Sequence, residues 1–216
     1  RDIGLFNNSF TGKLPTEIGG CTSLNLLLIG QNKLTGTLPT ELGLLSALLA
    51  LDVGENLLNG TLPTELGQLT GMTSLVVPNN FMRGTLPTEL RKVTALQTFR
   101  AYNNSLSGTI PKQFDTWINL QLIALDDNLL SGALPSTLGT WSALTLLGVR
   151  SNSLTGTVPT EIGFLSSLQY IVLDDNSMYG TLPSELAQLV SLAWLNIANN
   201  GFIGTLPEVY NIPAFQ

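Results

Sequence analysis

Asp126 and Asp174 are the side chains of this sequence best placed to do chemistry. Each stands two residues before an asparagine in a pattern that recurs every 24 residues, and Arg150 holds the same place in the segment between them. If the three segments are neighbouring strands, the two aspartate backbones lie ~9.6 Å apart, a spacing that could admit a general acid and a general base. Arg150 argues against that use. A cation between two carboxylates holds both ionised, whereas a general acid needs a raised pKa. Other routes to catalysis are missing. The sequence has no histidine, so no Ser-His or Cys-His pair can form, and its single cysteine, Cys21, falls in an otherwise apolar column that is expected to be buried. No calcium-loop pattern accompanies the aspartates. The residues read as a recognition surface in a protein that is not an enzyme and uses neither metal nor cofactor.

The elements that would position them follow from one register. An asparagine is followed by glycine four residues on and proline three residues later, first as Asn8/Gly12/Pro15 and last as Asn200/Gly204/Pro207, nine times without insertion. A fixed period of this length signals a solenoid of stacked coils, so one continuous domain over residues 1–216 is expected. Three and five residues before each asparagine lie apolar pairs such as Ile29/Leu27, Val77/Leu75 and Leu173/Ile171. Their alternation is that of a strand with one buried face, and strands 24 residues apart should pair in parallel and in register. A stacked asparagine amide can satisfy backbone groups where the strand turns, glycine supplies turn conformations closed to other residues, and proline suits the first turn of a short convex helix. Trp117 and Trp141 share a column with Cys21 and with leucines, and read as convex core.

The composition fits. Only 11% of residues are charged against 44% hydrophobic, as coils that bury most of their surface on each other require. The net charge of −6 excludes the basic stripe of a nucleic-acid binder. No stretch is long and apolar enough to span a membrane, so any membrane link would run through a segment not present here.

The frame closely resembles the plant-type leucine-rich repeat family, whose coil runs L-x-x-L-x-L-x-x-N-x-L-x-G-x-I-P-x-x-L-G-x-L. The segment 48–69, LLALDVGENLLNGTLPTELGQL, is a representative match, and the resemblance covers the whole chain. It implies an α/β solenoid: a right-handed leucine-rich repeat superhelix, with a parallel sheet on the concave face and short 3₁₀ or α turns on the convex face. It also implies a non-enzymatic recognition module like a receptor ectodomain or a polygalacturonase-inhibiting protein. Leucine mostly replaces the family's isoleucine before the proline. The paired-cysteine caps of the family are absent, so the chain is expected to be a fragment of a longer protein. The helix pattern lapses over Glu208–Gln216, which reads as a degenerate cap or as the place where the array is cut.

Function must then use positions outside the frame. On the later coils Tyr102, Leu122, Leu146, Tyr170, Val172 and Trp194 should line the concave face as an apolar and aromatic patch, beside the ladder Asp126, Arg150, Asp174. Tryptophan, tyrosine and arginine are the commonest binding hot spots. Seven acidic against three basic residues on the concave segment give −4 of the total −6, so a protein or peptide partner of basic or mixed charge is expected. Sequons at Asn7, Asn59 and Asn103 lean toward an extracellular or cell-surface site, or an organelle lumen. Two alternatives stand beside this one. One is an assembly subunit held by its edges. The other is ice binding by a threonine column five residues after each asparagine (Thr37, Thr61, Thr85, Thr109, Thr157, Thr181, Thr205), interrupted at Lys13 and Ala133. The plainer account of that column is a second short strand on the flank, where β-branched residues pack well.

Overall fold

Each run of alternating apolar residues forms a three-residue strand, from Asp2–Gly4 and Leu26–Leu28 to Tyr170–Val172 and Trp194–Asn196. In the computed structural model, which describes residues 1–207, the nine strands form one parallel sheet in strict chain order. Each residue pairs with the one 24 positions on, as in Leu122↔Leu146↔Tyr170↔Trp194. The central residue of every internal strand (Leu27, Leu51, Leu75, Phe99, Ile123, Leu147, Ile171) is buried, and its neighbours on either side face the concave surface. We number the coils 1 to 9 by their ladder asparagines, Asn8 to Asn200.

The threonine column runs past the C-terminal edge of a second parallel sheet, with only Thr37 and Thr85 inside its strands. Seven short strands from Thr11–Lys13 to Ser153–Leu154 form it, and a separate pair, Tyr179–Gly180 with Gly201–Phe202, continues along the flank. Here pairing is sheared by two residues, so that Thr35 faces Leu57 and Gly36 faces Leu58. Between the sheets the chain turns on a left-handed residue just before each ladder asparagine, with φ of 50–56°, and again at the frame glycine, with φ of 75–90°.

The asparagines hold those turns. Asn128 is representative: Nδ2 donates to the carbonyls of Leu125 (3.1 Å) and Asp126 (3.1 Å) in its own coil and of Ala101 (3.0 Å) in the coil before. Its Oδ1 accepts the N–H of Leu106, also in the preceding coil, at 2.9 Å. Each rung thus stitches its own turn and ties it to one neighbour.

On the convex side the turns are 3₁₀ throughout the described residues, eight of five residues each, with no α turn. The proline sits one place earlier than expected. It is the N-cap, extended at φ −63 to −73°, and its carbonyl accepts the first helical bond, as Pro39 does from Leu42 at 3.2 Å. Trp117 and Trp141 are buried, and their indole N–H groups donate to Leu90 (3.0 Å) and Phe114 (2.8 Å) of the preceding coil. Trp117 stacks on Phe114 with ring centroids 3.8 Å apart. Cys21 departs from expectation. It shares their column but is exposed, because that column is covered by the coil before and the described residues include none ahead of coil 1. Glu208–Gln216 lies outside the described residues.

Candidate functional site

Small residues open the concave face. Four positions before the ladder asparagine, coils 5 to 8 carry Arg100, Ala124, Gly148 and Val172 in one register row. Ala124 and Gly148 leave a shallow trough of about 420 Å³, walled by Leu122 and Leu146 on one side and by Asp126 and Arg150 on the other. Arg100 and Tyr102 close one end, and Val172 the other. Six of the nine residues expected to bind a partner therefore meet there: Tyr102, Leu122, Asp126, Leu146, Arg150 and Val172. The other three lie beyond it. Tyr170 and Trp194 continue the Leu122/Leu146 row outward, 43% and 56% exposed, while Asp174 is buried.

The charged ladder is asymmetric. Arg150 does not bridge both aspartates. Its Nε reaches Asp174 Oδ2 at 3.1 Å and Asp175 Oδ2 at 3.5 Å, and only its backbone N–H turns back, donating to Asp126 Oδ1 at 2.9 Å. The Arg150 side chain therefore pairs with Asp174 and Asp175 and not with Asp126. Burial pushes the Asp126 carboxyl above its ordinary range, the Arg150 N–H opposes the rise, and Asp127 and Asp174 add to it. Asp52, on coil 3, is raised in the same way by burial, opposed by the Gly54 N–H and by Arg100.

Glycine explains where Asp126 sits. A Cβ on Gly148 would come within 2.7 Å of Asp126 Oδ2 and 3.0 Å of Oδ1, so the carboxylate fills the space that a side chain at 148 would take. No such space exists two coils later. There Asn196 occupies the equivalent place, and its Oδ1 accepts the N–H of Ala198 at 3.2 Å. That N–H corresponds to the one Asp126 uses, so Asp174 Oδ1 is left buried without a partner among the described residues.

Sequence reasoning did not single out Arg100, Asp127 or Gly148 as site residues. The available signal for Gly148 was its small size beside Ala124 in a column whose other internal members are larger. The three sequon asparagines are all exposed. Asn103 already donates from its amide to Asn79 Oδ1 at 2.7 Å, and Asn7 and Asn103 are left-handed turn residues. Among the described residues no group of three His, Cys, Asp or Glu side chains is arranged to hold a metal, and no helix is long and apolar enough to cross a membrane.

The sequence matches no protein-family model and no curated protein. Its structure is similar to many solved ones. With the plant peptide hormone receptor RGFR1, solved in complex with RGF2, it shares 36% identity and a TM-score of 0.95 over 96% of this chain and 33% of that one. With the ectodomain of the membrane receptor kinase GASSHO1/SCHENGEN3 from Arabidopsis thaliana, solved in complex with CASPARIAN STRIP INTEGRITY FACTOR 2, it shares 33% identity and a TM-score of 0.95, over 97% and 25%. The chain thus spans a quarter to a third of the length of these receptors. A plant ice-binding protein is similar at 26% identity and a TM-score of 0.75, over 95% of this chain and 74% of that one.

Proposed function

The chain belongs to the plant-type leucine-rich repeat proteins, and from that premise we propose that it is a recognition module that binds an extended peptide or a protein segment along the concave face of coils 5 to 9, within a longer extracellular or cell-surface protein. The observation that carries this reading is the trough over Ala124 and Gly148. It is continued by Leu146, Tyr170 and Trp194, an apolar and aromatic row left uncovered by the fold. Exposed patches of this kind mark interaction sites. The similar RGFR1 is a plant peptide hormone receptor, solved in complex with RGF2, which supports a peptide here. The site offers little support for catalysis: Asp127 and Asp174 stand near the raised carboxyl of Asp126, but no histidine or cysteine lines the trough. The test is a panel of peptides selected on the wild-type chain. Replacing Tyr170 and Trp194 with Ala should weaken their binding about tenfold or more for each hot spot, with thermal stability nearly unchanged. Undiminished binding by the double variant would remove the outer part of this site.

A second reading attaches to the flank sheet, and a specific geometry favours it. Six threonines of the column, Thr37 to Thr181, point a Cγ2 methyl at the frame glycine of the next coil, as at Gly84 over Thr61, Gly108 over Thr85 and Gly132 over Thr109, where a Cβ would lie 2.9 Å from the methyl. The shared contact gives these threonines one rotamer, spaced as strands of a sheet ~4.8 Å apart. Such a file of hydroxyls suits an ordered water lattice, and a structurally similar plant protein binds ice. If the flank does so, the isolated chain will shape growing ice crystals and Thr85→Tyr will abolish the effect. Unshaped crystals would dismiss this reading without touching the concave one.

A further inference from the structure

The trough contains a carboxylate with one oxygen unclaimed. Asp126 Oδ1 accepts the Arg150 N–H, whereas Oδ2 lies over Gly148 and receives no hydrogen bond from another residue among those described. The cation in its own row is committed elsewhere, since the Arg150 side chain turns to Asp174 and Asp175, and Arg100 at the end of the trough makes no ion pair with Asp126 among the described residues. Asp174 deepens the imbalance. Its side chain is 7% exposed and its Oδ1 has no partner among the described residues, so the row holds more negative charge than its donors answer. Beside Asp126 runs the aliphatic surface of Leu122 and Leu146. A half-buried carboxylate beside apolar side chains is a site for a cation carried on a hydrocarbon stem, because a long basic side chain can lay its methylenes on apolar surface and bring its head to the acid.

We propose that Asp126 Oδ2 receives the ammonium or guanidinium head of a lysine or arginine in the bound peptide, whose stem lies across Leu122 and Leu146. The proposal rests on the concave-face reading and adds the chemistry of the ligand. The specificity is polar at one point: an isosteric neutral side chain would fit the trough but leave the carboxylate unanswered.

A random peptide library panned on the wild-type chain tests both, with binding of the selected peptides then measured against variants. The expected result is a basic residue at one shared position. Replacing it with norleucine should lower affinity for the wild type about 30-fold or more, and for Asp126→Asn by much less. Asp126→Asn keeps an Oδ1 acceptor for the Arg150 N–H. Gly148→Ala, which crowds the carboxylate without neutralising it, should give a similar loss, and the norleucine comparison on the wild-type chain serves if either variant folds poorly. Leu146→Asn separates the failures. Peptides that lose binding to Leu146→Asn, yet tolerate norleucine equally on wild type and Asp126→Asn, overturn the cationic pairing and leave the concave reading intact. Selection of nothing, or binding indifferent to Leu146→Asn, overturns both.

Discussion

The carboxylate of Asp126 occupies the side-chain space of Gly148, its Oδ2 2.7 Å from where a Cβ at 148 would stand. The two residues belong to adjacent coils and form one packing unit. Gly148→Ala should therefore destabilise the chain by about 1–3 kcal/mol, the usual cost of overpacking a fitted site. The cost should shrink in an Asp126→Ala background, because the clash then has no partner. Urea denaturation of the two single variants and the double variant gives the coupling directly, and additive effects would show that the two side chains do not meet.

The asparagine ladder predicts unequal costs along one column. Asn128→Ala strands the Leu106 N–H and removes donors from three carbonyls inside the stack, and should cost about 3 kcal/mol or more. Asn8→Ala removes only the exposed bonds to Leu5 and Phe6, with no earlier coil to reach, and should cost less than about 1 kcal/mol. Equal losses from the two variants, measured by chemical denaturation, would mean that the rung acts only within its own turn.

The raised carboxyl of Asp126 sets a pH dependence with a definite sign. A group that holds its proton more tightly when folded favours folding at low pH, and that advantage is lost as pH rises from its ordinary value of 3.8 through the raised one. The charges around it are Asp127 and Asp174, with Arg150 offering its backbone N–H. Asp126→Asn should gain stability relative to wild type as pH climbs through this window, and the difference should level off above it. Thermal melts of both proteins across the acid range test this. A difference that does not vary with pH would mean that burial does not hold the proton on Asp126.

Much of this architecture is legible in the sequence. Asn56, Asn80 and Asn128 are buried rungs, Leu51 and Leu75 are core, and the threonines follow the flank beside a second sheet, because a 24-residue register assigns every position to a column. What the register cannot convey is where a side chain turns within its column. Arg150 stands between two aspartates in sequence, yet it pairs with Asp174 and Asp175 and leaves Asp126 to a backbone N–H. Which option each aspartate takes depends on the neighbour four places before the next rung, glycine at 148 and asparagine at 196. Burial is likewise a property of adjacent coils rather than of one. Cys21 and Trp117 share a column, but only Trp117 has a preceding coil to cover it.

The rungs of the ladder tie each coil only to its neighbour, along the axis of the stack, and this has a mechanical consequence. Held at its first and last coils and drawn apart, the molecule would be loaded across its strands rather than along them. Its bonds would open in series, like a zip, instead of failing together in shear. Each released coil of 24 residues would add about 80 Å of slack. The coil rich in interlocking aromatics, where Trp117 stacks on Phe114, would be among the last to let go.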